Sequence, residues 1–162
     1  MHVKFINDED FLQYKTGCLF IGAPTCTWKC CDECGAPHSM CQNYSWSKEK
    51  VKEISNEDIY KRFSTNKLTD GIVFGGLEPM DNFFEIIAFI SYVRKTAKDN
   101  CPIIIYTGYC ENEITDKINV LKSLTTNIIM KFGRYKPGFE PHYDEVLGVE
   151  LASPNQYGAK IC

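Results

Sequence analysis

Four short, continuously apolar runs, at 17–21, 71–74, 102–106 and 127–130, constrain this chain more than any other feature. Each has strand length rather than helix length, and each is closed by glycine or polar residues. Segments of helical period lie between them. Ser55, with Asp58 three residues on, makes a capping-box-like start for a helix through Tyr60 and Phe63. Asp81 is placed to cap the clearest helix. There Phe83, Phe84, Ile86, Ile87, Ile90 and Val93 form one apolar face, and Arg94, Lys95 and Lys98 suit the C-terminal end. A further helix is expected over 113–124. This alternation predicts an α/β fold, a partial (β/α) barrel or open curved, mostly parallel sheet in a single domain, with right-handed crossovers. The unbroken apolarity of 102–106 predicts helices over both faces of that sheet. After Gly133 the pattern weakens, and Pro137, Gly138 and Pro141 mark loop before a short apolar piece at 146–151.

The polar and glycine-rich segments all follow the strands: 26–41 the first, 75–79 the second, 107–109 the third and 131–134 the fourth. In a parallel sheet those positions converge at the C-terminal edge, where α/β proteins and barrels keep their active sites.

The first of these segments carries the chemistry. Five of the nine cysteines, Cys26, Cys30, Cys31, Cys34 and Cys41, fall within it. At 162 residues and 44% hydrophobic content the chain buries a core without disulfide staples. No apolar stretch approaches the roughly 18–20 residues of a membrane span, and residues 1–10 lack the apolar core of a signal peptide. The expected location is therefore the cytoplasm, where clustered thiols signal metal or redox chemistry. Net charge is −3 and no run of Lys or Arg exceeds two, so neither nucleic acid nor a membrane is an expected partner. Soft thiolates suit zinc or an iron–sulfur cluster. The cysteines are packed too closely for two separate zinc knuckles, yet Cys31-x-x-Cys34 with Cys26 and Cys41 still makes four ligands. Both metals stay open on spacing alone.

Cys41-Gln42-Asn43-Tyr44-Ser45-Trp46 resembles the stretch around the third cluster cysteine of anaerobic ribonucleoside-triphosphate reductase activating proteins, which are small radical S-adenosylmethionine enzymes. Gly75-Gly76-Leu77-Glu78-Pro79 resembles the superfamily's Gly-Gly-Glu-Pro motif with Leu77 inserted, and Tyr106-Thr107-Gly108-Tyr109 resembles the segment ending the next strand in these activases. Gly133-Arg134-Tyr135 and Ser153-Pro154-Asn155-Gln156 resemble their later motifs, in order. The resemblance implies a [4Fe–4S] cluster held by Cys26, Cys30 and Cys41, with ten residues between the last two where the family has two. Cys26, Cys31 and Cys34 are the alternative set. It also implies S-adenosylmethionine as cofactor, with Met40, Gly75, Gly76, Glu78, Tyr106 and Thr107 around it. Met40 stands where the family often has an aromatic against adenine, and the two glycines would offer carbonyls to the ligand's ammonium. Past Leu77, the backbone is expected to bulge so that Glu78 reaches the ligand. The implied activity is generation of a glycyl radical on a large partner, most readily an anaerobic ribonucleotide reductase, with a reductant such as flavodoxin. A radical enzyme with a small-molecule substrate, a zinc-binding module and a plain electron carrier are the alternatives.

Plainer roles are expected elsewhere. Trp28 shields or packs locally, and His2, His38 and His142 belong at the surface. Cys18 and Cys101 read as buried thiols, and Cys110 and Cys162 have no evident partner. Tyr106 and Tyr109 are read as core-edge aromatics as readily as ligand contacts, and Arg134 is a weak candidate for carboxylate contact.

Overall fold

A computed structural model describes residues 1–162. In chain order the elements are β1 (His2–Val3), β2 (Ile6–Asp10), β3 (Cys18–Gly22), α1 (Lys29–Cys34), α2 (Tyr44–Ser47), β4 (Lys52–Glu53), α3 (Asn56–Thr65), β5 (Gly71–Gly75), α4 (Phe83–Ser91), β6 (Ile103–Tyr106), α5 (Thr115–Leu124), β7 (Ile128–Phe132), β8 (His142–Asp144), β9 (Val149–Leu151) and β10 (Tyr157–Lys160). Six strands form one sheet in the order β10-β7-β6-β5-β3-β2. The four expected strands are its parallel centre, with β2 and β10 antiparallel at the two edges. The sheet is open, as expected. Neither edge strand was foreseen, because the alternation in β2 is weak and charged (Ile6-Asn7-Asp8-Glu9-Asp10), as suits a protected sheet edge.

Alternation along the central strands divides the core. Ile72 and Phe74 of β5 and Ile103 and Ile105 of β6 point to one face, where they meet Ile59 and Phe63 of α3, Phe89 and Ile90 of α4, and Ile118 and Leu121 of α5. Val73 and Ile104 point to the other face, with Cys18, Phe20 and Ile129. Here the expectation of helices on both faces is corrected. Tyr14, from the loop at 11–17, and Leu147 and Leu151, from the β8–β9 hairpin, cover that face. The strands are apolar throughout because both faces are covered, and a loop and a hairpin do this as well as a helix.

The helix starts agree with expectation in one case and depart from it in another. Ser55 caps α3 as foreseen, accepting from the Asp58 N–H at 3.0 Å. The α4 segment instead opens through a 3-10 turn, Pro79–Asn82, capped by Glu78 rather than Asp81. Phe84 is 87% exposed. The core-facing positions, Phe83, Ile86, Phe89, Ile90 and Val93, keep the 3.6-residue period, and Phe84, about 100° round the helix from Phe83, falls on the outer side.

Candidate functional site

The C-terminal ends of β3, β5, β6 and β7 open onto one cavity of about 370 Å³. Its lining takes residues from every one of the four polar segments, so the expected convergence at this edge is met.

Cys26, Cys30 and Cys41 all face the cavity. Cys26 follows β3 without regular structure, Cys30 sits on α1, and Cys41 follows a 3-10 turn, His38–Met40. Cys31 and Cys34 are outside the lining. The first is buried and the second exposed, with its thiol donating to the Cys31 carbonyl. Burial pushes the Cys26 thiol up to about 12, against a hydrogen bond of 3.3 Å that it accepts from the Trp28 N–H. Burial raises Cys30 as well. These are protonated thiols until a metal displaces the proton. No group of three or more His, Cys, Asp or Glu side chains is already gathered to hold a metal ion.

The rest of the lining is largely backbone and buried charge. Gly76 has φ +79°, a conformation that turns the chain sharply after β5, and a Cβ there would stand 3.2 Å from the Trp46 ring. Its carbonyl accepts from the Asn43 carboxamide, so the Cys41-Gln42-Asn43 stretch ties the cysteine loop to the end of β5. The Gly75 carbonyl accepts from the Ala23 N–H. Both carbonyls expected to meet a ligand ammonium thus already hold one bond each, leaving their second lone pairs.

The turn at Gly76 brings both Leu77 and Glu78 to the cavity, each with its side chain buried. Glu78 accepts from the Met80 N–H (3.0 Å), the Thr107 hydroxyl (2.7 Å) and the Gly108 N–H (2.8 Å). Burial outweighs these bonds and pushes its carboxyl up to about 7. Tyr106 presents its ring to the cavity, but its hydroxyl donates to the Gln13 carbonyl at 2.6 Å.

Met40 is the one expected cofactor residue that lies elsewhere. It is 66% exposed and does not line the cavity. The 3-10 turn, closed by the Cys41 N–H to the His38 carbonyl, directs Cys41 inward and Met40 outward. Phe20 and Trp46 provide the aromatic wall.

Lys131 is a site residue that the sequence pattern does not single out. Expected in a loop, it lies inside β7, 7% exposed, and lines the cavity. Its ammonium donates to the Gly133 carbonyl at 2.7 Å and has two further N–H groups. Burial pulls it down to about 8, although Glu78 favours its charged form. A lysine ending an apolar run was the available signal. Arg134 meets carboxylates of the protein itself. Its guanidinium is bidentate to Glu113 (2.7 Å twice) and reaches Glu33 at 2.9 Å. Asn155 of the C-terminal motif donates to the Arg134 carbonyl, and Gln156 lines the cavity.

Among the plainer expectations, Trp28 does pack locally, stacked on His38 at 4.9 Å, and His38 is half-buried with its ring 2.9 Å from Asp32. Cys18 is fully buried and Cys101 partly so, and burial pushes both thiols up.

Cys26, Cys30 and Cys41 face one cavity, and a family model described as "4Fe-4S single cluster domain" matches residues 17–142. The chain belongs to that family. The 4Fe-4S single cluster domain covers the four parallel strands, the thiol-bearing loop and most of the residues that line the cavity. It favours iron–sulfur over zinc as the metal. No curated protein and no solved structure matches the chain. No helix is long and apolar enough to cross a membrane.

Proposed function

We propose that this 4Fe-4S single cluster domain is a radical S-adenosylmethionine activase, with Cys26, Cys30 and Cys41 as the cluster ligands. The observation that carries the reading is the count and placement of the thiols. Three face the cavity, and the other two cysteines of the same loop do not. Three thiolates leave the fourth iron open to a ligand, and an open position separates a reactive metal site from a structural one.

When bound with S-adenosylmethionine, such a cluster supplies the electron that breaks the sulfonium C–S bond, giving methionine and a 5′-deoxyadenosyl radical that takes a hydrogen atom from the substrate. The residues of this chain bind and orient. Gly75 and Gly76 let the backbone come close to the ligand. The buried Lys131 ammonium meets a carboxylate, and Glu78, with accepting capacity left, meets an ammonium. Phe20 and Trp46 keep water from the thiol-bearing wall.

Size supports a substrate from outside. Pockets for one drug-sized ligand run from ~300 to ~1,000 Å³, and this cavity is near the lower end. A cofactor fills it, so the group acted upon enters at the mouth, as a backbone glycine on an exposed loop of a large glycyl radical enzyme does. An anaerobic ribonucleotide reductase is the partner favoured by the motifs, and a flavodoxin-like protein the reductant.

The test is product formation. Protein reconstituted anaerobically and reduced with dithionite in the presence of S-adenosylmethionine is expected to release 5′-deoxyadenosine and methionine, measured by chromatography. With a purified anaerobic ribonucleotide reductase added, an organic radical signal is expected on that partner. A reconstituted cluster that releases neither product overturns the reading.

A further inference from the structure

Of the three cavity-facing thiols, Cys26 alone sits in a segment with no helix or strand to hold it, since 23–28 carries no regular structure. Cys30 is part of α1, and Cys41 closes the 3-10 turn His38–Met40. Side-chain bonds on both flanks of Cys26 replace the missing secondary structure. Upstream, the Thr25 hydroxyl meets the Asn82 carboxamide at 3.0–3.1 Å, and the Thr25 carbonyl accepts from the Glu78 N–H at 3.0 Å. Downstream, the Thr27 N–H donates to Asp81 Oδ2 at 2.7 Å. The Tyr109 hydroxyl donates to Asp81 Oδ1 at 2.8 Å and lies 3.3 Å from the Thr27 hydroxyl. Asp81 and Asn82 are neighbours in one turn, Pro79–Asn82, so a single rigid piece of chain grips the backbone on either side of the thiol.

Asp81 makes none of the bonds that a helix cap makes. The capping bond of its own turn comes from Glu78, and the N-cap of α4 has no side-chain bond. Both of its oxygens are committed to Thr27 and Tyr109 instead. The Tyr109 ring is fixed in turn, with the Lys29 ammonium 5.4 Å and the Arg134 guanidinium 5.9 Å from its centroid, and both cations are paired to Glu113.

We propose that Asp81, held by Tyr109, is a positioning residue for the Cys26 thiol, fixing its approach to the cluster without touching it. The inference rests on Cys26 being a cluster ligand. Partners of this kind orient ligands, and losing one costs about 10–100-fold in metal affinity.

The test uses the full chain, reconstituted anaerobically, as wild type, Asp81→Ala, Asp81→Asn and Tyr109→Phe. Four quantities are read: iron per chain, the rate of iron loss to a chelator, the g-values of the reduced cluster and the unfolding temperature. Asp81→Ala is expected to lose iron about tenfold faster and to shift the g-values. Asp81→Asn, which keeps an acceptor oxygen, restores much of both, and Tyr109→Phe falls between. A role in folding alone would lower the unfolding temperature and leave the g-values in place, and that result overturns the proposal. So does an Asp81→Ala protein with wild-type iron loss. If the wild-type chain takes up no iron at all, the cluster reading fails with it; if only the Asp81 variants behave as wild type, this inference alone fails.

Discussion

The Thr107 hydroxyl donates to Glu78 Oε1 at 2.7 Å, so a buried carboxylate beyond the end of β5 is locked to the first residue beyond β6. The bond joins the edges of two adjacent parallel strands at the floor of the cavity. It also fixes an acid in a place where its charge is poorly solvated.

That acid makes stability depend on pH. Burial raises the Glu78 carboxyl from 4.5 to about 7, above its unfolded value. Between those values the folded state binds more protons than the unfolded state, so stability falls as pH rises through the window. Glu78→Gln is expected to lack this component. Urea unfolding of both proteins from pH 4 to 8, compared as a difference, checks it, and parallel profiles would contradict it.

Lys131 carries the opposite sign. Burial lowers it to about 8, so the charged form is disfavoured in the fold at pH 7, and the penalty is relieved as pH rises from about 8 toward 10.5. Lys131→Met is expected to unfold at an equal or higher temperature at pH 7. On the proposed function, the same variant is expected to lose a charge-assisted bond to the ligand carboxylate and to bind S-adenosylmethionine roughly 10–100-fold more weakly. Calorimetry on the reconstituted protein separates the two effects.

The four central strands, their parallel direction and the edge where the polar segments converge were legible in the sequence, because continuous apolar runs and glycine stops are local signals. The face of α4 was only partly legible. Phe84 was grouped with the apolar face because it is apolar, but at about 100° per residue it lies on the far side of the helix from Ile86, Ile90 and Val93, and its ring is in solvent. Lys131 was hidden because strand ends are blurred in sequence, and Met40 was misplaced because a 3-10 turn decides which of two adjacent side chains faces inward. Asp81 was read as a cap because its long-range partners, Thr27 and Tyr109, are 54 and 28 residues away.

The α4 register gives a direct contrast in stability. Phe84→Ser is expected to change the unfolding free energy by less than about 0.5 kcal/mol, as exposed substitutions do. Phe89→Ala, at a side chain with no exposure, is expected to cost about 3–5 kcal/mol. Chemical denaturation of the two variants is sufficient.

The thiols divide in the same way. Cys26→Ala, Cys30→Ala and Cys41→Ala are each expected to abolish cluster assembly, while Cys31→Ala and Cys34→Ala keep it. Iron and sulfide analysis after anaerobic reconstitution reads the result. Loss of the cluster in Cys34→Ala with retention in Cys41→Ala would contradict the assignment.

The central claim is an iron left open by three thiolates. Electron paramagnetic resonance of the anaerobically reconstituted, dithionite-reduced chain, recorded with and without S-adenosylmethionine, tests it most directly. The account predicts a [4Fe–4S]⁺ signal whose g-values change when the cofactor is added. A cluster signal indifferent to S-adenosylmethionine would contradict it and leave an electron carrier.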